Sequence, residues 1–151
     1  MTAEVLRAVA RVHGALAWAA VAALSAAVVA VWRRRAIGAA LATGAAALGA
    51  ATFATGAVMH LPFQARLRQR LFLASAALGW LFERKEHAAF GALALSICGA
   101  VAIWGERTAG GAGERAGRDL RRAAVIAMSG ALLFEVLAVG VSIAAGQRVG
   151  F

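Results

Sequence analysis

The sequence is short of charge, of cysteine and of proline, and each shortage narrows the field. Only 15% of its 151 residues are Asp, Glu, Lys or Arg, against 62% hydrophobic, and the mean hydropathy is +0.77. A soluble domain of this length carries about a quarter charged residues, so the composition speaks for an integral membrane protein. The single cysteine, Cys98, rules out an internal disulfide and leaves the redox compartment open. Its place within an apolar run reads as a packed thiol. No CxxCH is present, which excludes covalently attached haem. Also missing are a Walker motif, a dinucleotide fingerprint, HExxH and a serine-centred nucleophile motif, so phosphate transfer and cofactor-free hydrolysis have no support. There is no heptad or long internal repeat, and the two halves are not inverted copies of one another, which weakens a transporter reading.

What the chain does have is a set of uncharged runs of about 20 residues, long enough to cross a hydrocarbon core of about 30 Å. Nothing alternates as in a membrane barrel. The expected fold class is an all-α integral membrane protein, a four-helix antiparallel bundle formed by one domain over residues 1–151. Its spans are expected at about 12–32, 36–59, 87–104 and 123–145. Residues 1–11 read as an amphipathic lead-in, with Val5, Leu6 and Val9 opposite Glu4, Arg7 and Arg11. The run from Val12 to Trp32 exceeds a signal-peptide core and ends in Arg33-Arg34-Arg35, so it reads as a retained anchor. Trp18 and Trp32 are candidate interfacial rings.

The second span is mostly Ala, Gly and Thr. Small residues recur every four positions through Ala40, Gly44, Leu48 and Thr52-Gly56, and again through Ala45 and Gly49. Such faces let helix backbones approach closely in lipid, which places this helix at the centre of the bundle. Pro62, the only proline, is expected to end it. In residues 63–82, Phe63, Leu67, Leu71 and Leu78 keep helical spacing while Arg66, Arg68 and Arg70 fall elsewhere. The uncharged stretch Leu71–Phe82 would reach only about 18 Å as a helix, so an interfacial or re-entrant helix is expected here. Residues 105–122, with Gly110-Gly111-Ala112-Gly113, read as a flexible, solvated loop.

The net charge of +9 sits in short arginine-rich segments beside apolar runs, where it meets anionic headgroups rather than nucleic acid. Both ends of the bundle hold eight basic residues. The density of Arg33–Arg35, without neighbouring acids, leans that end to the inside of a multi-pass protein in the bacterial inner membrane.

All three histidines fall at one end of such a bundle: His13 opens the first span, His60 closes the second and His87 opens the third. Neutral imidazole is the commonest protein ligand for transition metals, and paired histidines hold haem in helix bundles. A b-type haem on His60 and His87 is the leading expectation. Phe53, Phe63, Trp80, Phe82 and Phe90 would line the ring, and Arg11, Arg66 and Arg84 would meet its propionates. Glu83 or Glu86 would hold a second imidazole nitrogen. The alternative is a copper or zinc ion on His13, His60 and His87. Met59 adds little, because neighbouring helix positions diverge by about 100°.

Glu135 lies midway along the last span. An ionised carboxylate there costs at least about 2.5–3.5 kcal/mol, so it is expected to be protonated or to face Thr52, Thr55 or Ser96, and it is the candidate proton-linked or quinone-facing group.

At His13, at Thr55-Gly56 and at Glu83 to His87 the chain resembles a family of small four-helix bacterial membrane proteins of unknown function for which haem binding has been proposed. The likeness covers roughly residues 10–100. In that family the first-helix histidine is followed by proline, where this chain has Gly14, and His60 lies outside the shared pattern. The resemblance implies haem or metal without naming a reaction. Together these readings predict a small haem- or metal-binding electron-transfer subunit of a larger assembly, with the bilayer, other membrane subunits or further copies of itself, and a quinone as partners. The alternatives are a cofactor-free structural subunit and a proton-coupled metal or small-solute transporter.

Overall fold

The computed structural model describes residues 3–66, 68–108 and 114–149, and within them all side chains but those of Ala3, Arg66 and Val149. Among the described residues the chain forms five α-helices and no strand: α1 Ala3–Trp32, α2 Gly38–Arg66, α3 Arg68–Ala74, α4 Ala76–Thr108 and α5 Glu114–Val149. All but α3 are long and apolar enough to cross a membrane, as a multi-pass protein requires. They are also longer than the expected spans. At about 1.5 Å per residue, the 30 residues of α1 reach about 45 Å and the 36 of α5 about 54 Å. Their charged ends are helical extensions beyond the apolar runs, so the lead-in is simply the start of α1.

The long helices pack in a ring. The α4–α5 and α1–α2 interfaces are the most extensive, closed by α1 against α5 and α2 against α4. Sequence neighbours therefore sit side by side, with α1 opposite α4 and α2 opposite α5. The outward faces carry large apolar side chains, among them Trp18, Phe90, Ile126 and Leu133, while the inside is built largely of alanine. That inversion suits a solvent of lipid tails, where close backbone approach rather than hydrophobicity holds helices together. The tightest approach joins α4 and α5: a Cβ placed on Gly99 would lie 2.5 Å from Met128 Cγ and 3.3 Å from the Ala124 carbonyl oxygen.

Four expectations are corrected. First, Pro62 does not end α2, which continues to Arg66. Proline removes the bond that the Val58 carbonyl would receive, but Val58 lies on the exposed side of the helix. Second, residues 63–82 are not one interfacial helix. They divide among the end of α2, the short α3 and the first turns of α4, with Leu67 outside the described residues. The break has a local cause: Ser75 caps α4, its Oγ accepting from the Leu78 N–H at 3.3 Å. It is fixed from above by Phe72, whose ring lies so close to Gly79 that a Cβ there would sit 2.8 Å away. Third, of the expected small-residue lines Ala40 and Gly44 face outward, while Thr52 is buried and Ala45 is buried together with Ala39 and Ala42. α2 takes no part in the largest interface, α4 on α5, so it is not the bundle's centre. The expected loop at 105–122 is also mostly helical: Glu106 of α4 pairs with Arg121 of α5 across the two helix ends, and Glu114 pairs with Arg118 along the first turn of α5. Residues 109–113 lie outside the described residues.

The interior is unequal along its length. Towards the α1–α2 turn it is a continuous apolar cluster that includes Leu24, Val31, Ala42, Ile103 and Met128. Towards the histidines the long helices bury small or polar residues, Ala17, Ala20, Thr52, Ala92, Ser96 and Glu135, while the short α3 buries the large Leu71. Between the long helices, one half of the bundle is filled by large side chains and the other is not.

Candidate functional site

The site is built where the four long helices meet in that polar half. On α1, His13 Nδ1 lies 3.0 Å from the Thr52 carbonyl oxygen and 3.0 Å from Thr55 Oγ1. A carbonyl can only accept, so the proton resides on Nδ1 and Nε2 is the basic nitrogen. Thr55 Oγ1 donates within its own helix, to the Ala51 or Thr52 carbonyl at 3.0 and 2.9 Å, and its lone pair is free to share the imidazole N–H. The ring's Cε1 edge packs on α2 because Gly56 leaves room: a Cβ there would come within 3.1 Å of His13 Cε1.

From α4 comes Lys85, close enough for its charge to act on His13. Its ammonium sits 3.8 Å from the centroid of the Phe82 ring and donates to Ser142 Oγ on α5 at 2.9 Å. Ser142 in turn donates to the Ala138 carbonyl at 2.8 Å. Seven residues earlier on α5, on the same helical face and about 10.5 Å deeper, lies Glu135, 6% exposed. Its carboxyl has no hydrogen-bond or ion-pair partner among the described residues. The expected partners are engaged elsewhere: Thr52 and Ser96 donate to carbonyls of their own helices, Leu48 and Ala92. What results is a ladder of groups that can carry protons, descending from the end of the bundle to an unpaired carboxyl where the sealed half begins.

The other predicted site residues are arranged differently. His60 Nδ1 is 2.6 Å from Glu86 Oε1 in an exposed pair, so the expected carboxylate–imidazole contact is present. His60 therefore turns to Glu86 rather than to His87, which is exposed, as is Arg84. The side chain of Arg66 lies outside the described residues. The candidate haem-lining rings pair with one another: Phe63 stacks on Phe82 at 4.3 Å, Trp80 meets Phe72 edge-on at 5.6 Å, and Phe53 meets Phe90 at 6.2 Å. Glu83 binds Arg68. Thus the histidines share one end of the bundle but not one centre. Among the described residues no group of three or more His, Cys, Asp or Glu side chains is placed to hold a metal ion.

Lys85 and Ser142 were not singled out by sequence. One signal was there to be read: Lys85 is the only lysine beside fifteen arginines. No family model, curated protein or solved structure matches the chain.

Proposed function

We propose that this chain spans the membrane and translocates protons, with Glu135 as the carboxyl that binds the proton and the His13–Lys85–Ser142 ladder as its access from one end. The observation that carries this is Glu135 itself: a buried carboxyl without a partner, two helical turns below a lysine, at the boundary between the polar and the sealed halves. A carboxyl needed only for packing would hydrogen-bond across the helices. The nature of the cation supports the same reading. Arginine does not release its proton in proteins, whereas lysine can, and the one lysine stands at this site. Ionisable groups inside a span commonly mark such relays.

The test is proton flux into vesicles that hold the purified protein and a trapped pH-sensitive dye. Wild type is expected to acidify the lumen faster than empty vesicles under an imposed potential. Glu135→Gln, and Lys85→Arg, which keeps charge and a donor for Ser142, are expected to return to the empty-vesicle rate. Flux in Glu135→Gln equal to wild type would overturn the proposal.

A second reading, the redox carrier, is favoured by the His60–Glu86 pair. A carboxylate on one imidazole nitrogen orients the other for ligation, so His60 would offer Nε2 to a metal or haem iron. A Soret band in the purified protein that disappears in His60→Ala would support it.

A further inference from the structure

We infer that the opposite end of the bundle binds a phosphate-bearing anion, in the cavity between the α1–α2 turn and the facing ends of α4 and α5. The inference stands apart from the proton reading and uses none of its residues. The cavity measures about 200 Å³ and is lined by four arginines, Arg34, Arg35, Arg107 and Arg121, and by one acid, Glu106. That acid is already committed: Arg121 grips it through both Nε and Nη2, the first at 3.1 Å. The third nitrogen of the same guanidinium, Nη1, is buried with no partner among the described residues. A buried charged donor left unpaired is costly, and the guanidinium that carries it forms part of the cavity wall.

The neighbouring cations add to the same demand. Arg34 is near enough for its charge to act on Arg121, so two like charges are held together with the single acid already in use. Arg107 is fixed rather than loose: it donates to the Ala36 carbonyl and lies 5.3 Å from the Trp104 ring, which is itself tied to Thr43 Oγ1 at 2.9 Å. The cavity also opens onto the first turn of α2 at Gly38, where the positive end of the helix favours an anion. Arg34 takes a backbone conformation usually left to glycine, with φ 53°, so the turn presents a guanidinium at a position where glycine would fit with less strain. Planar forks of N–H donors match phosphate oxygens two at a time. If the long helices cross a bilayer, this end lies among the headgroups, and the phosphate could belong to an anionic lipid or to a free solute.

The experiment is thermal unfolding of the full chain in neutral detergent, followed by tryptophan fluorescence, with three additions: short-chain phosphatidylglycerol, inorganic phosphate, and diacylglycerol of the same chain length. The phospholipid is expected to raise the melting temperature at concentrations where diacylglycerol does not. Arg34→Gln and Arg35→Gln, both in the exposed turn, are expected to weaken the response about tenfold or more. A response to inorganic phosphate that competes with the lipid identifies a free anion as sufficient; a response to lipid alone identifies the headgroup. No response to either phosphate source, an equal response to diacylglycerol, or an unchanged response in both arginine variants overturns the inference.

Discussion

Replacing Gly56 by alanine should change the sign of its effect according to whether His13 is present. The added Cβ would lie 3.1 Å from His13 Cε1, 3.7 Å from Nδ1 and 3.9 Å from Nε2, so the ring must retreat by a few tenths of an ångström. It is not free to do so, since Nδ1 is held at 3.0 Å by both the Thr52 carbonyl and Thr55 Oγ1. Two opposed terms follow. Alanine stabilises a helix interior over glycine by about 0.5–1 kcal/mol. Against this, each His13 hydrogen bond contributes about 0.5–1.5 kcal/mol and overpacking costs about 1–3 kcal/mol. With His13 in place the balance is a loss of about 1 kcal/mol. In a His13→Ala background only the helix term survives, and the same substitution should stabilise by about 0.5–1 kcal/mol. The coupling energy of the double-mutant cycle is then about 1.5–2 kcal/mol, readable from unfolding in mixed dodecyl maltoside and SDS micelles by tryptophan fluorescence. If Gly56→Ala stabilises equally in both backgrounds, His13 does not rest on α2, and the placement of its proton on Nδ1 falls with it.

Gly99→Ala should destabilise by about 1–3 kcal/mol in the same assay, since its Cβ meets Met128 Cγ at 2.5 Å and the Ala124 carbonyl at 3.3 Å. Adding Met128→Ala should restore only part, because the carbonyl remains; a neutral single substitution would mean that α4 and α5 cross less closely. Arg34→Gly should stabilise the lipid-free protein by about 1 kcal/mol, by relieving the left-handed conformation. A lowered melting temperature would refute that geometry.

The long apolar runs were legible because lipid imposes a length and a composition that few other environments do. The helix boundaries were not. Charged residues such as Glu83 to Glu86 read as the edge of a span, yet α4 runs straight through them, because a helix leaving the apolar layer loses nothing by continuing. The face that α2 buries was equally hidden: with Ala or Gly at most positions, no periodicity separates the buried Ala39, Ala42 and Ala45 from the exposed Ala40 and Gly44. His13, Thr55 and Gly56 stood out one by one, and the fold brings them into contact. Lys85 sits in a run of five charged or ionisable residues, and only the packing of α4 against α5 separates it, turned to Ser142, from Arg84 beside it, turned outward.

The two ends of the bundle handle charge in opposite ways, and this bears on how a proton would pass. Towards the α1–α2 turn, the ionisable side chains between the helices are arginines and the acid Glu106, already gripped by Arg121. The arginines hold charge without exchanging protons. Towards the other end they are His13, Lys85 and Glu135, each of a type that can gain and lose a proton. Between the two sets lies the apolar cluster around Leu24, Ile103 and Met128. On the proposed reading Glu135 would exchange protons with one side only in this arrangement, and translocation would require that cluster to part. Its seam with α2 is lined by Ala39, Ala42 and Ala45, side chains too short to interlock, so α2 is the helix best able to slide against the others.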